Sequence, residues 1–334
     1  MSLIELNKNG IYCAEAKVYI DPWKPVDRAI ITHGHSDHSR AGHKSYLCSN
    51  NSVPIIKHRL GHTINIKGIA YNESINVNGV KISFHPAGHI IGSAQIRLEG
   101  KGEIWVVSGD YKIENDGISE PFEPVRCSHY ITESTFGLPV YRWRDQREVF
   151  AEINDWWKEN QRLGKTTIIT AYSLGKAQRI LHNIDSSIGK IYTHGAIGNM
   201  NQAISASGIA LPETLQISTN SKPQDFLGNL IMAPPGALGS SWMKRFKKVS
   251  VGIASGWMML RGARRRRGAD RGFVLSDHCD WDGLNIAIAA SGAENIYPTH
   301  GYIEIYSRYL REQGYNAQPL ETEFEGESLE KKEE

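Results

Sequence analysis

The sequence ITHGHSDHSRAGH, residues 31–43, places three histidines and one aspartate between positions 33 and 38. The apolar run just before it predicts a strand that is buried on both faces and ends where the cluster begins. Alternate residues of an extended chain point to the same side, so His33 and His35 can bind one metal ion. Asp37 and His38 follow after a turn and can bind a second ion, with ligand atoms that suit zinc or manganese. The pattern predicts a metal site; a solvated histidine cluster is the alternative.

The composition indicates a globular chain without a strong charge bias. The 334 residues are 40% hydrophobic, which is enough for one large domain with an insertion or for two domains. The chain has 38 basic and 36 acidic residues and a formal net charge of +2. Bulk charge therefore gives no sign of a nucleic-acid partner, and any basic surface must be local.

The cysteines and the ends of the sequence give expectations about the cellular location of the protein. The four cysteines include no Cys-x-x-Cys pair, which disfavours a disulfide framework and a zinc ribbon and fits a reducing cytoplasm. The first residues lack a basic leader, and no stretch approaches the roughly 20 apolar residues of a membrane span. We therefore expect a cytoplasmic protein without a membrane segment. Residues 323–334 are charged and are expected to form a flexible tail.

Further candidate ligands come at or just after other predicted strands. They are His89, Asp110, Glu133, His278 and His300. Taken singly, each histidine can be structural and each carboxylate can cap a turn. Several strands that deliver such side chains at their ends build a site at one edge of a sheet, where α/β proteins usually bind ligands. The recurrence therefore favours one convergent site.

The middle of the chain has a different pattern. Residues 138–270 alternate predicted strands, glycine turns and helices, which indicates an α/β unit with parallel strands. Ser173 and Lys176 lie where one of these helices is predicted to begin. Helix N-termini and a lysine ammonium attract phosphate, so this turn either holds a phosphate or is an ordinary strand-to-helix turn.

An arginine-rich stretch, RGARRRRGADRG, occupies residues 261–272. Most basic runs are solvated loops. This one lies between a predicted strand and the segment that contains His278, which favours contact with a polyanionic backbone. Arginine forks pair with phosphate oxygens. The residues expected to make this contact are Arg264, Arg265, Arg266 and Arg267.

Together these residues resemble the metallo-β-lactamase superfamily, whose members are αββα proteins with a two-zinc site. The motif from His33 to His38 matches the second motif of that superfamily, His89 the third and Asp110 the fourth. Asp21, in Tyr19-Ile20-Asp21-Pro22, matches the first motif, which implies that it orients a metal-binding histidine. The resemblance covers almost the whole chain and implies an α/β fold of the αββα sandwich type.

The inserted α/β unit resembles that of the β-CASP nucleases. By this likeness Glu133 supports the site, His278 is the general acid and His300 is the last metal ligand, so that His278, Asp37 and Glu133 are the catalytic residues. The implied division is 1–137 and 271–322 for the metallo-β-lactamase domain, 138–270 for the β-CASP insertion and 323–334 for the tail. AYSLGKAQRIL and the 255–281 segment also resemble bacterial exonucleases encoded beside an ATP-dependent DNA ligase and a large helicase.

The resemblance implies a metal-dependent DNA exonuclease of DNA repair that acts through a hydroxide shared by two Zn²⁺ or Mn²⁺ ions. One ion would be held by His33, His35 and His89, and the other by Asp37, His38 and His300, with Asp110 bridging both. The expected substrate is single-stranded or end-bearing nucleic acid, and a ligase and a helicase are the expected partners.

Three alternatives stay open. DNA-acting enzymes of the Artemis type usually carry valine at the position of His300, whereas RNA-acting ones carry histidine, so a ribonuclease is the first alternative. Thioesterases or lactamases of the same fold are the second, although they need no inserted unit. A metal-dependent scaffold without turnover is the third, although it would not need His278. Polarity, exonuclease against endonuclease action and oligomeric state do not follow from the residues.

Overall fold

The structure is a computed structural model that describes residues 2–218, 220–260 and 268–324. These residues divide into two compact units, one up to residue 142 together with residues from 277 onward, the other residues 143–276. The first unit thus extends past 137, the predicted boundary, and resumes at 277 rather than 271. Tyr141 explains part of the extension, because its carbonyl accepts a hydrogen bond from the backbone N–H of Trp281 at 3.0 Å.

The first unit contains two sheets, and all strands are numbered along the chain. The first sheet consists, in spatial order, of β1 (Ile4–Asn7), β2 (Gly10–Cys13), β3 (Val18–Ile20), β4 (Arg28–Ile30), β5 (Ser45–Ser49) and β6 (Ile66–Ile69). The second consists of β7 (Ser74–Val77), β8 (Val80–Pro86), β9 (Ala94–Gly100), β10 (Glu103–Val107), β11 (His129–Ser134), β18 (Asn295–Gly301) and β19 (Asn316–Ala317). Its spatial order is β19-β18-β11-β10-β9-β8-β7.

The core between the two sheets follows the alternation of the sequence. Six residues at every second position of β8 and β9 face this core: Val80, Ile82, Phe84, Ala94, Ile96 and Leu98. They pack there with apolar residues of the first sheet. Successive strand residues point to opposite faces, so the apolar residues at every second position are the ones that face inward.

Helices cover the outer faces of both sheets. They are α1 (Ser52–Leu60), α5 (Trp281–Ser291) and α6 (Ile303–Glu312), numbered along the chain with those of the second unit. Ile56 of α1 packs with Ile31 and Cys48 against the first sheet. Leu284 of α5 and Leu310 of α6 belong to the cluster on the outer face of the second sheet. The predicted four-layer αββα sandwich is confirmed.

The second unit is an α/β unit with one parallel sheet. Its strands are β12 (Thr166–Thr170), β13 (Ile191–Thr193), β14 (Leu215–Gln216), β15 (Leu230–Ala233), β16 (Val249–Ala254) and β17 (Arg271–Phe273). They lie in the order β14-β13-β15-β12-β16-β17, and each pair is parallel. The α-helices among its described residues are α2 (Gln146–Arg162), α3 (Lys176–Asn183) and α4 (Gly195–Ser205), with 3₁₀ turns at Pro223–Phe226, Pro235–Ala237, Ser241–Arg245 and Gly256–Met259.

Both faces of the central strands of this unit are buried. Ile169 of β12 faces the cluster that contains Trp157 of α2, whereas its neighbour Ile168 faces the opposite cluster. The alternation of strands, glycine turns and helices predicted for residues 138–270 fails after β15, because two 3₁₀ turns stand there in place of an α-helix. The adjacent Pro234 and Pro235 remove two backbone donors, and Gly236 and Gly239 lower the helix propensity further.

The four cysteines carry free thiols, and three of them are buried. Among the residues that the structure describes, no helix has both the length and the apolar character needed to cross a bilayer.

His43 is a buried histidine outside the clusters described below. It is 7% exposed, and its Nδ1 accepts a hydrogen bond from the backbone N–H of Val26 at 3.3 Å. Burial lowers the pKa of His43 to about 4. The unfolded chain binds a proton near pH 6.5, so the neutral folded form contributes stability above that pH and loses it as the pH falls toward 4.

We therefore expect His43→Asn, which keeps an acceptor but cannot titrate, to reduce the acid sensitivity of the fold. Between pH 7.5 and pH 4 the parent should lose up to about 3 kcal/mol more free energy of unfolding than the variant. Urea unfolding of the metal-free proteins measures this difference. His62→Asn, at an exposed position, is the matched control. Parallel pH profiles for parent and His43→Asn would contradict the assignment.

Candidate metal centre

Asp110 lies at the centre of the site. It follows β10 after the turn Ser108-Gly109 and is 2% exposed. Gly109 has a φ of +58°, and a Cβ there would lie 2.7 Å from the side chain of Thr32. The turn therefore needs a glycine, and it places the carboxylate against the ends of the neighbouring strands.

Five imidazoles present Nε2 to the two oxygens of this carboxylate. On the Oδ2 side the Nε2 distances are 3.5 Å for His33, 3.7 Å for His89 and 4.0 Å for His278. On the Oδ1 side they are 3.6 Å for His38 and 3.0 Å for His300. The carboxylate thus divides the histidines into two groups, one on each oxygen.

Each of these five rings also has a partner on its other nitrogen, Nδ1, and that partner fixes the orientation of the ring. Nδ1 of His38 lies 2.7 Å from Asp21, Nδ1 of His278 lies 2.7 Å from Glu133, and Nδ1 of His89 lies 2.9 Å from the Asp277 carbonyl. These three partners only accept, so Nδ1 carries a hydrogen and Nε2 is the atom that faces Asp110. Nδ1 of His33 and of His300 lie 3.0 Å and 2.9 Å from the hydroxyls of Thr32 and Thr299. Such partners fix imidazoles for metal binding.

Two buried nitrogens at this point lack a hydrogen-bond partner. Within the described residues, Nε2 of His33 and Nε2 of His38 are buried and make no hydrogen bond. Buried polar groups are almost always satisfied, and each exception calls for a missing partner. Imidazole nitrogen and carboxylate oxygen together suit a divalent transition metal. The residues therefore fit the metal ions that the sequence predicts.

The described residues contain two groups of candidate ligands, and within each group all the ligand atoms lie within 4.8 Å of one another. One is His33, His35, His89 and Asp110, and the other is Asp110, Glu133 and His278. In the second group both Glu133 oxygens are engaged, Oε1 by the backbone N–H of Tyr111 at 2.8 Å and Oε2 by His278 at 2.7 Å. We therefore interpret Glu133 as a support for His278. Asp37 stands at the rim, with Oδ2 3.7 Å from Nε2 of His38 and its side chain 14% exposed.

The charge states of Asp110 and His33 favour the binding of cations. Burial would raise the pKa of the Asp110 carboxyl, but the imidazoles of His38, His300 and His278 hold it well below its usual range. Burial and the neighbouring imidazoles together hold the pKa of His33 well below its usual range. Asp110 is therefore anionic and His33 neutral at pH 7, the states in which these side chains bind metals.

His38 has the opposite shift. Burial would lower its pKa, but the carboxylates of Asp110, Asp37 and Asp21 raise it to about 10. The metal-free site therefore keeps a proton on His38, and a bound cation would take the place of that positive charge.

Parallel strands deliver these side chains to one place. β10, β11 and β18 are neighbours and run parallel, as do β3 and β4, and the candidate residues lie at or beyond their carboxyl ends. Glu133 and His300 were expected to follow their strands, and in the structure they lie inside β11 and β18. His89 lies in the loop between β8 and β9.

His300 occupies a bulge. Glu133 of β11 pairs with Thr299 and Ser134 pairs with Gly301, so His300 has no opposite residue. Its φ is +25°, which is uncommon for a residue other than glycine, and the Ser134 hydroxyl donates to its carbonyl at 2.6 Å. Bulges re-aim side chains next to active sites, and here the bulge turns the imidazole toward Asp110.

Three further groups at the site were not anticipated from the sequence: the hydroxyls of Thr32 and Thr299 and the carbonyl of Asp277. The repeated tripeptide Thr-His-Gly, at 32–34 and 299–301, was a signal for the hydroxyls. The same tripeptide also occurs at 193–195. There His194 caps α4, because its Nδ1 accepts from the backbone N–H of Ala196 at 3.1 Å, so the tripeptide alone does not identify a ligand.

The predicted phosphate contacts lie in the second unit. Ser173 is half-buried in the turn after β12, and Lys176 begins α3 with its side chain fully buried and its ammonium 5.1 Å from the ring centroid of Tyr172. Their contact with phosphate stays a prediction. Arg264, Arg265, Arg266 and Arg267 lie outside the described residues.

No family model matches the chain. A protein named "Probable DNA ligase" from Opitutus terrae is 28% identical over 312 residues, 92% of this chain. An RNase J-like protein from Methanocaldococcus jannaschii is 29% identical over 52% of the chain, and endoribonuclease YSH1 from Saccharomyces cerevisiae is 30% identical over 36%. The chain is similar to the β-CASP nucleases of the metallo-β-lactamase fold. The resemblance expected from the sequence is confirmed.

The chain spans 30%, 48% and 15% of the lengths of these three relatives, less than half of each. A crystal structure of a protein of unknown function from Enterococcus faecalis V583 matches with a TM-score of 0.61 over 89% of this chain and 80% of the other. Its sequence identity is 13%, so this likeness concerns the fold alone.

We expect Asp21→Asn to weaken metal binding. Asp21 accepts from the backbone N–H of Thr32 at 2.8 Å and holds Nδ1 of His38 at 2.7 Å, so the variant loses the charge that makes this imidazole a strong ligand. Changes at such supporting groups typically cost about 10–100-fold in metal affinity. Competition with a coloured chelator measures the loss. Asp27→Asn, at an exposed carboxylate paired with Lys44, is the matched control. Equal affinity in parent and Asp21→Asn would contradict the role.

Proposed function

We propose that this protein is a metal-dependent nuclease that hydrolyses phosphodiester bonds in DNA from chain ends, in DNA repair. The observation that supports it most is the convergence of five Nε2 atoms on Asp110, with His278 held separately by Glu133. A metal-dependent hydrolase uses both parts: ligands for the ions and a group that transfers a proton.

Two divalent ions, zinc or manganese, would be held by the residues on the two sides of Asp110. The side of Oδ2 offers His33, His35 and His89, and the side of Oδ1 offers Asp37, His38 and His300. When bound, such a pair of ions activates water and neutralises charge on a phosphate. The residues themselves arrange this chemistry, because the fixed Nδ1 contacts leave each imidazole little freedom to turn away.

His278 is the proposed general acid. Its Nδ1 is fixed by Glu133 at 2.7 Å, and its Nε2 lies 4.0 Å from Oδ2 of Asp110, longer than the Nε2 distances of the four other imidazoles. A protonated Nε2 at this point can pass its proton to the leaving oxygen of a phosphodiester. The Glu133 carboxylate stabilises the charged imidazole and keeps it aimed at the site, as carboxylates do in other acid–base pairs.

DNA is the proposed substrate because the relative named as a probable DNA ligase matches 92% of this chain, whereas the RNase J-like protein and YSH1 match 52% and 36%. RNA is the second candidate. It is favoured by the histidine at position 300 and by the names of those two shorter matches. A ligase is the proposed partner, since the ligase-named relative extends well beyond the matched region. The proposed location is the cytoplasm, where the four thiols would stay reduced.

We expect His278→Ala to retain both metal ions and to lose about 10²–10⁴-fold in the rate of cleavage, the usual contribution of general acid catalysis. Metal analysis of the purified variant together with single-turnover kinetics measures the two quantities. His62→Ala, at an exposed position, is the matched control and should cut at the parental rate. Parental turnover in His278→Ala, or the loss of one ion, would contradict the assigned role.

The substrate is tested with matched single strands of DNA and RNA of the same sequence, labelled at either end. The proposal predicts that the metal-loaded protein shortens DNA progressively from one end. A preference for RNA would support the ribonuclease reading instead. Absence of cleavage of both strands by a protein with full metal occupancy would contradict the nuclease proposal altogether.

A further inference from the structure

The part of the chain that follows β19 lies against the metal centre. Its backbone continues along β18, because the N–H groups of Gln318 and Leu320 donate to the carbonyls of Ile296 and Pro298, both at 2.9 Å. Leu320 and Phe324 then pack on the core between the two sheets. The predicted flexible tail was expected to begin at 323, but Glu323 and Phe324 make specific contacts. We call residues 318–324 the C-terminal strap.

Phe324 at the end of the strap covers one side of the candidate ligands. Its ring stacks on the His38 imidazole with 4.4 Å between centroids and 12° between planes. It also meets the His300 ring edge to face at 6.0 Å, and the Trp23 ring at 5.9 Å. His38 and His300 are the two histidines on the Oδ1 side of Asp110, so one aromatic ring contacts both imidazoles of that side.

Arg40 fastens the strap to the ligand loop. Its guanidinium donates to three backbone carbonyls: that of Glu323 at 2.9 Å, that of Trp23 at 3.3 Å and that of Asp37 at 3.3 Å. The planar fork of arginine can bridge several acceptors at once, which a lysine ammonium does less well. The loop that carries Asp37 and His38 is thereby tied to the strap.

The candidate ligands differ in how far they are buried. His38 and His300 are buried, whereas the side chain of Asp37 is 14% exposed and His35 is partly exposed. The His38 ring is held at Nδ1 by Asp21, and Phe324 occupies a face. Stacking on that face opposes rotation of the ring and keeps water from it.

We propose that Phe324 is a positioning residue for the metal subsite made by Asp37, His38, Asp110 and His300. It holds the two imidazoles in place and slows the exchange of the ion bound there, and Arg40 keeps it seated. Substrate then reaches the ions from the side of Asp37 and His35. This inference rests on the metal binding that the proposed function requires, and it does not depend on which nucleic acid is cut.

The test is the release of metal from the full-length protein loaded with two cobalt ions and mixed with excess chelator. In the parent we expect two phases of release. In Phe324→Ala one phase should become about tenfold faster, within the usual effect of losing a support of a metal ligand, while the other stays unchanged. The d–d absorption of the affected cobalt ion should also change, which a general loss of stability would not produce.

Other variants separate the effect of the stacked Phe324 ring from the effect of its volume. Phe324→Tyr keeps the stacked ring and should restore parental release, whereas Phe324→Leu keeps an apolar group but no ring and should release metal faster. Arg40→Lys should accelerate the same phase as Phe324→Ala. Glu321→Ala, an exposed position in the same strap, is the matched control and should behave as the parent.

Parental release from a folded Phe324→Ala would overturn the proposal. If that variant does not fold, parental release from both Phe324→Leu and Arg40→Lys would overturn it equally, and so would a parent that binds fewer than two ions. A parent that binds two ions and cuts neither DNA nor RNA would contradict the nuclease proposal, while the comparison of release rates would still decide the role of Phe324.

Discussion

A buried carboxylate surrounded by imidazoles is the constraint on which the rest of the first unit depends. Asp110 is 2% exposed, and burying an unpaired carboxylate is strongly unfavourable. In the metal-free protein the imidazoles of His38, His300 and His278 hold its pKa well below the usual range. Bound cations could take over that task, because imidazole nitrogen and carboxylate oxygen are ligand atoms that suit divalent transition metals. Stability of the site and affinity for metal are thus two consequences of one arrangement.

The sandwich is what makes this arrangement rigid. Each imidazole leaves a strand end or a loop, and three of the five, those of His38, His89 and His278, are fixed at Nδ1 by residues distant in sequence. His89 is held by a carbonyl that lies 188 positions away, and His278 by a carboxylate that lies 145 positions away. Contacts of such sequence separation exist only once the chain has folded, so the centre is assembled by the fold of this unit.

The sequence was sufficient for the parts of the fold that depend on local pattern. The period of two in β8 and β9 identified the inward residues, and the cluster from His33 to His38 marked one edge of the first sheet. What it could not provide was geometry that depends on pairing. The bulge that re-aims His300 follows from the register of β18 against β11, which no local pattern of residues 295–301 reveals. Pro234 and Pro235, in contrast, are local signals, and they explain why 3₁₀ turns and not an α-helix follow β15.

Long-range packing also explains the role of the strap. Phe324 stands among charged residues, a composition that is typical of solvated tails, and its partners Trp23 and His38 are near the other end of the chain. Similarly, Thr32 and Thr299 lie directly before candidate ligands, yet the same dipeptide at Thr193-His194 does something else. Residue types at strand ends predict that a metal centre exists; the contacts that tune it require the structure.

The most direct test of the metal centre is anomalous X-ray scattering from crystals grown with zinc, recorded on both sides of the metal edge. The structure predicts two peaks that flank Asp110, one beside His33, His35 and His89 and one beside Asp37, His38 and His300. A single peak held by Asp110, Glu133 and His278, or no peak near Asp110, would contradict the account.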